Sequence, residues 1–297
     1  MFKINFKTEF TMYQKSYKVA AIHDLSGVGR CSLTVILPTL SAQGIQVCPV
    51  PTAILSTHTG GFGEVVMRDL TDYIQPALEH YKRLNYNFDC IYSGFLASTG
   101  QIDHCLQFFE HYKDALKVVD PVMADHGKPY KTCTPDLRAG MNKLAAIADI
   151  ITPNVTEAAM LLGESPMQPD MTSQQMKSYL VRLSELGPKI VVITSVFSDG
   201  RSYNIGYDRE HSKFWKVPYN LINANYPGTG DVFASVLTGS ILRGDSLPIA
   251  MNRATEFLEI AIKTTYSYST DTRDGIMLES CLDFLISNPT LCDYEQL

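Results

Sequence analysis

Short apolar runs rich in β-branched residues alternate with longer stretches of helical period along most of this chain. Val19 to Ile22, Ile45 to Leu55, Cys90 to Tyr92, Leu116 to Val119, Ile150 to Thr152 and Ile190 to Thr194 read as strands. Runs this short, apolar on both parities, suit strands buried on both faces. Helical patterns lie between them, near 31–43, 70–84, 100–113, 135–147, 154–162 and 172–186. Thr172 with Gln175 three residues on has the form of a capping box. Repeated strand–helix alternation predicts an α/β fold with a mostly parallel central sheet covered on both faces. After residue 199 the pattern changes. Arg201 to Tyr207 and Ser212 to Val217 read as an antiparallel pair turning at Asp208 to His211, a small β extension. Three closing helices are expected near 231–243, 247–265 and 276–286. With no linker, repeat or low-complexity stretch, the simplest organisation is an N-terminal extension over 1–17 and a single domain over 18–297.

In such sheets ligands gather beyond the carboxyl ends of the strands. Asp24 and Gly27-Val28-Gly29 come after the first expected strand, and Ser56-Thr57-His58-Thr59-Gly60-Gly61 after the second. Ser93-Gly94-Phe95 follows the third, Asp120 to Asp125 the fourth, Thr152-Pro153-Asn154 with Glu157 the fifth, and Thr194-Ser195 the sixth. The polar and glycine-rich clusters thus share one end of the expected sheet.

The densest chemical signal is Pro227-Gly228-Thr229-Gly230-Asp231, followed by the apolar run Val232 to Leu237. Two glycines let consecutive backbone N–H groups point at one spot, and the helix they open adds its positive end, which suits an anion such as phosphate. A carboxylate beside that cradle is a poor anion ligand but can take a proton from a hydroxyl attacking the phosphate. The same residues also describe an ordinary helix start capped by Thr229 or Asp231. Asp120, Asp125 and Glu157 supply hard oxygens of the kind Mg²⁺ prefers, or they cap turns and helices. Asn154 with Glu157 three residues later has the form of a cap, which is compatible with either role. His58 offers an acid–base or hydrogen-bonding group or a structural ring.

Other chemistries find little footing. No Gly-x-x-x-x-Gly-Lys occurs, Ser32 stands where a dinucleotide fingerprint would place its third glycine, and no Gly-x-Ser-x-Gly is present. The seven cysteines form no C-x-x-C pair and the seven histidines show no metal-ligand spacing, so reduced thiols and no zinc site are expected. The chain is 45% hydrophobic and 19% charged, with a formal net charge of −6 and no long basic cluster. This argues against nucleic-acid and membrane partners. Residues 1–18 lack the apolar core of a secretory signal, and no apolar stretch approaches the roughly 20 residues of a membrane span. A cytoplasmic protein is expected.

Four motifs, taken in order, resemble those of the ribokinase-like small-molecule kinases, and specifically their pyridoxal (vitamin B6) kinase branch. They are Leu55-Ser56-Thr57-His58-Thr59-Gly60-Gly61, Asp120-Pro121-Val122-Met123-Ala124-Asp125-His126-Gly127-Lys128-Pro129-Tyr130, Thr152-Pro153-Asn154-Val155-Thr156-Glu157-Ala158 and Gly228-Thr229-Gly230-Asp231. The resemblance spans roughly residues 18–286 and implies a three-layer α/β/α sandwich. It further implies ATP- and Mg²⁺-dependent phosphorylation of the 5′-hydroxymethyl group of pyridoxal, pyridoxine or pyridoxamine by a homodimer, and leaves a monovalent cation such as K⁺ open.

On that resemblance Asp231 is the general base, and Gly228, Thr229 and Gly230 form the anion hole. Asp120 and Glu157 serve Mg²⁺, Asp120, Asp125 and Tyr130 attend the ATP phosphates, and Asn154, Thr194 and Ser195 contact nucleotide. Asp24, Ser26, His58, Thr59 and Phe95 face the substrate. Two departures stand out: His23-Asp24-Leu25-Ser26 occupies the place of a serine common after the first strand, and Phe95 that of a tyrosine. The Asp24-Leu25-Ser26-Gly27 segment also resembles the hydroxymethylpyrimidine kinases of thiamine synthesis, which often carry cysteine where this chain has Asp231. Such a kinase, or a non-catalytic B6- or nucleotide-binding protein on the same fold, is the alternative.

Overall fold

The computed structural model describes residues 16–165, 170–286 and 293–297. The expected N-terminal extension lies almost wholly outside them. The chain runs β1 (Lys18–Val28), α1 (Leu33–Ala42), β2 (Gln46–Thr57), β3 (Met67–Asp69), α2 (Thr71–Arg83), β4 (Cys90–Ser93), α3 (Thr99–His111) and β5 (Leu116–Val119). A hairpin of β6 (Ala124–Asp125) and β7 (Lys128–Pro129) precedes α4 (Pro135–Ile147), β8 (Ile150–Ile151), α5 (Val155–Leu161) and α6 (Ser173–Glu185). Then come β9 (Ile190–Ser198), β10 (Arg201–Asp208), β11 (Lys213–Tyr219), α7 (Thr229–Leu242), α8 (Leu247–Ser267), α9 (Asp283–Ile286) and β12 (Glu295–Gln296).

Among the described residues ten strands form one sheet, in the order β12-β11-β10-β9-β8-β5-β4-β1-β2-β3. The six strands from β9 to β2 run parallel, while β3 at one edge and β10 to β12 at the other are antiparallel. The two-residue period of the strands divides their side chains between two cores. Ala20, Ile22, Ile91, Val119, Val191 and Ile193 pack with α2 to α6. Val19, Ala21, Cys90, Tyr92, Val118 and Val192 pack with α1, α7 and α8 on the other face. This is the three-layer α/β/α sandwich that the resemblance implies. Among the described residues no helix is long and apolar enough to cross a membrane.

Several boundaries differ from those the sequence pattern predicts. Strand β1 continues to Val28 and β2 to Thr57, paired through a register shift between His23 and Leu25. Asp24, Ser26 and Gly27 therefore lie within β1 rather than after it, because the irregularity interrupts the apolar alternation without ending the pairing. Likewise β9 carries Thr194 and Ser195 inside it, the two residues facing Asn204 of β10 where the register shifts, with Ser195 at φ 63°. The expected helix over 276–286 is instead a short 3-10 turn at Leu278–Ser280 followed by the four-residue α9. Gly275 enters it at φ 74° and the Met277 N–H donates to Thr265 Oγ1 of α8 (2.7 Å), so bonds to a neighbour replace helical ones. The edge strands β3 and β12 had no apolar signal to reveal them. The Thr172–Gln175 capping box is present, as is a turn at His126-Gly127 between β6 and β7.

Candidate active site

Helix α7 opens at Gly228, whose φ of +81° would strain any side chain and where a Cβ would stand 2.2 Å from the Arg30 carbonyl oxygen. Glycine there lets the helix start sit directly on the β1–α1 connection. Among the described residues no side chain caps it. The N–H groups of the first turn of any helix have no partner within that helix. Among the described residues no side chain accepts from those of Gly228, Thr229, Gly230 or Asp231; the Thr229 hydroxyl turns back to the Tyr226 carbonyl (3.1 Å). An open, positively polarised helix end results, with the Asp231 carboxylate in its first turn.

Asp231 is buried and held from two sides. Its Oδ2 accepts from the Ser32 N–H (2.7 Å), and its Oδ1 lies 3.0 Å from His23 Nε2. The His23 contact is an ion pair set off the N–H axis rather than a linear hydrogen bond. Ser32, the residue before α1, adopts φ 56°, a left-handed conformation uncommon outside glycine. On its other side His23 Nδ1 lies 2.8 Å from Asp24 Oδ1, and the Ser26 hydroxyl donates to Asp24 Oδ2 (2.9 Å). A continuous polar chain thus runs Ser26–Asp24–His23–Asp231–Ser32. Burial opposes charge on the His23 ring, but Asp231 and then Asp24 outweigh it and lift its pKa from 6.5 to about 10. Burial likewise pulls Asp24 upward, and hydrogen bonding and charge from His23, with Ser32 and Ser26, hold it below its ordinary value.

Asp120, at the exit of β5, is pushed up to about 7, first by burial and then by the negative charge of Asp231, against the opposing pull of His23. Glu157 in α5 is also raised, by burial and then by Asp120. Its Oε2 accepts from Asn154 N–H (2.9 Å) and its Oε1 from Met123 N–H (3.0 Å). Asn154 Oδ1 in turn accepts from Glu157 N–H (3.0 Å), and Asn154 Nδ2 donates to the Ala124 carbonyl (2.8 Å). Asp120 therefore has the more open carboxylate of the pair. Two buried, mutually repelling hard-oxygen groups fit a divalent cation that would relieve them. Among the described residues no cluster of three or more His, Cys, Asp or Glu could hold a metal unaided.

The remaining residues singled out by sequence lie in the surrounding strands and loops. Asp125 ends β6 within the β6–β7 hairpin and Tyr130 follows it; the Gly127 N–H ties this hairpin to Thr156 Oγ1 (2.9 Å) at the start of α5. Thr194 bridges to Asn154, and the exposed Ser195 donates its N–H to Asn204 Oδ1 (3.3 Å). Thr59 is exposed and Phe95 half-buried. His58 is buried with both nitrogens engaged: Nδ1 accepts from Gly60 N–H (3.0 Å) and Nε2 lies 2.6 Å from the Arg273 carbonyl. This fixes a neutral tautomer with Nε2–H donating. The ring clasps the 58–61 loop to the 271–275 loop, where the Arg273 guanidinium also lies over Phe62, 5.3 Å from its centroid.

Nothing in the sequence marks His23 as part of this site, a histidine without metal spacing beside a conspicuous aspartate. Gly94 carried a usable signal. A Cβ at that position would stand 2.0 Å from His23 Cδ2, so this glycine is the space that the buried ring occupies. Glycine directly after a buried strand marks such a close approach.

A family model described as phosphomethylpyrimidine kinase matches residues 37–275. A crystal structure of a Bacteroides thetaiotaomicron protein, described as a candidate phosphomethylpyrimidine kinase and crystallised with pyridoxal, superposes with a TM-score of 0.91 at 43% identity, over 95% of this chain and 100% of that one. The structure of pyridoxal kinase from Lactobacillus plantarum gives a TM-score of 0.84 at 32% identity, over 92% of this chain and 97% of that one. The thiamine biosynthetic bifunctional enzyme of Arabidopsis thaliana is 27% identical over 87% of this chain and 48% of its own length. The chain spans about half the length of that enzyme and of its rice counterpart.

Proposed function

The chain belongs to the phosphomethylpyrimidine kinase family, and from that premise we propose that it transfers the γ-phosphoryl group of ATP to the 5′-hydroxymethyl group of pyridoxal, pyridoxine or pyridoxamine. The observation that carries this reading is Asp231 held inside the open first turn of α7. Phosphoryl transfer needs positioning and charge neutralisation more than covalent help. Asp231 takes the hydroxyl proton as the substrate oxygen bonds to the γ-phosphorus and the bond to the ADP oxygen breaks. The N–H groups at Gly228, Thr229 and Gly230 receive the transferring oxygens. Asp120, backed by Glu157, holds Mg²⁺, which when bound neutralises the phosphates. Asp125, Tyr130, Thr194 and Ser195 line the nucleotide side, with Asn154 acting there through the hairpin it holds at the Ala124 carbonyl. Asp24, Ser26, Thr59 and Phe95 line the substrate side, with His58 acting there through the loop it clasps.

The choice of a B6 ring rests on the aspartate at 231, on the pyridoxal kinase of Lactobacillus plantarum and on the pyridoxal crystallised with the Bacteroides thetaiotaomicron protein. Hydroxymethylpyrimidine is the second reading, favoured by the family's own description and by the thiamine biosynthetic relative. A coupled ADP-release assay across the three B6 vitamers and hydroxymethylpyrimidine decides between them. The B6 reading predicts the highest kcat/KM on a vitamer. A preference for the pyrimidine overturns it, and stabilisation by these ligands without ADP release favours a binding protein. A cytoplasmic homodimer belongs to the same proposal, and sedimentation checks the assembly.

A further inference from the structure

We infer that His23 is a positioning residue for phosphoryl transfer: from β1 it fixes the Asp231 carboxylate at the mouth of α7 and supplies the positive charge that lets Asp231 stand beside Asp120. The inference rests on the kinase reading above. Asp24, Asp120 and Asp231, from β1, the exit of β5 and α7, together with Glu157 of α5, crowd one end of the sheet. All four are buried, and among the described residues no lysine or arginine is. The one buried histidine besides His23 is His58, whose ring is spent on the 58–61 and 271–275 loops.

His23 is therefore the cation inside this cluster, and it touches the carboxylate that receives the proton. With Oδ2 bound by Ser32 N–H and Oδ1 against Nε2, the Asp231 carboxylate cannot rotate freely. Its remaining lone pairs are left for the incoming hydroxyl. The ring is itself anchored at Nδ1 by Asp24, which Ser26 orients. Such an outer partner fixes the orientation of a working group, and misplacing that group by about 1 Å can cost on the order of 100-fold in rate. Gly94 belongs to the same device, because any side chain there would displace the ring.

The test is a double-mutant cycle on kcat for pyridoxal with ATP. His23→Gln should lower kcat by roughly 10- to 100-fold while leaving the KM for ATP near the wild-type value. The loss should largely vanish on an Asp231→Asn background, since His23 acts through that carboxylate. Gly94→Ala keeps the imidazole but pushes it aside, and should reproduce the kcat loss with wild-type KM for ATP. Thermal melting of each variant separates these effects from misfolding. A wild type inert on every hydroxymethyl ring sinks the kinase reading and this inference together. An active wild type whose His23→Gln variant keeps its kcat sinks the inference alone, as does a His23→Gln loss that reappears in full without Asp231.

Discussion

Helices α5 and α7 open onto the same end of the sheet and treat their first-turn N–H groups in opposite ways. At α5 a capping box closes the helix start: Asn154 Oδ1 takes Glu157 N–H, Glu157 Oε2 takes Asn154 N–H, and Glu157 Oε1 reaches out to Met123 N–H. At α7 a left-handed glycine starts the helix, no side chain caps it, and the acid of the first turn looks sideways to Ser32 and His23. A satisfied helix start contributes stability. An unsatisfied one is a binding site waiting for an anion. Both segments place an acid three residues after the cap, as Asn154 with Glu157 and Gly228 with Asp231. What separates them is the cap itself, because asparagine can accept from the third residue and glycine cannot.

The largest effect should come from removing the acid at the open end. Asp231→Asn keeps the shape of the side chain and loses the proton acceptor, so turnover should fall on the order of 10²- to 10⁴-fold. Nucleotide affinity, measured by calorimetry, should survive. A variant retaining most of the wild-type rate would leave α7 as an ordinary helix start and dissolve the contrast with α5.

Next in size is a pair of glycine substitutions within the open turn. Gly228→Ala forces a side chain onto φ +81° and against the Arg30 carbonyl, so stability and rate should fall together. Gly230→Ala lies in the helix, where a Cβ meets nothing within 4 Å. Alanine there should hold or raise the melting temperature, by about 0.5–1 kcal/mol of helix preference. It also puts a methyl group beside the donors that the phosphate must approach, so kcat should drop regardless. A Gly230→Ala enzyme with undiminished kcat would mean that no anion comes close to this turn.

These two glycines show how much of the site the sequence could carry. The motif from Gly228 to Asp231 announced both the turn and the acid, because each needs a particular residue at a particular place. The parallel strands were legible for a similar reason: burial on both faces demands unbroken apolar runs such as Ile190 to Ile193. His23 was not legible, since its meaning depends on Asp231, far along the chain, which only the packing of α7 against β1 brings within 3.0 Å. The segment over 276–286 misled for the same reason, its backbone bonding to Thr265 rather than to itself. Local chemistry can be read along the chain, whereas partners supplied by another element cannot.

Charge balance gives a third, smaller handle on the contrast. The Asp231 side of the cluster depends on an imidazolium, whereas Glu157 relies on backbone N–H groups that do not titrate. His23 is raised from 6.5 to about 10, so its contribution to stability is fully present below pH 6.5 and is lost as pH rises through 10. The melting temperature of the wild type should therefore fall more steeply between pH 7 and 10 than that of His23→Gln. Equal slopes would show that the ring is uncharged in the folded protein, leaving Asp231 without its counter-charge.

The smallest expected change tests the capped end directly. Both polar atoms of the Asn154 side chain are occupied, Oδ1 by Glu157 N–H and Nδ2 by the Ala124 carbonyl. Asn154→Ala should therefore cost about 1 kcal/mol of stability, the usual worth of such a cap, and loosen the hairpin that carries Asp125. The KM for ATP should move only a few-fold, through that loosening. If Asn154 instead reaches the nucleotide directly, the signature reverses, with the KM for ATP rising tenfold or more at an unchanged melting temperature. That outcome would make α5 a second ligand-facing helix start, and the division between a capped end that builds and an open end that binds would no longer hold.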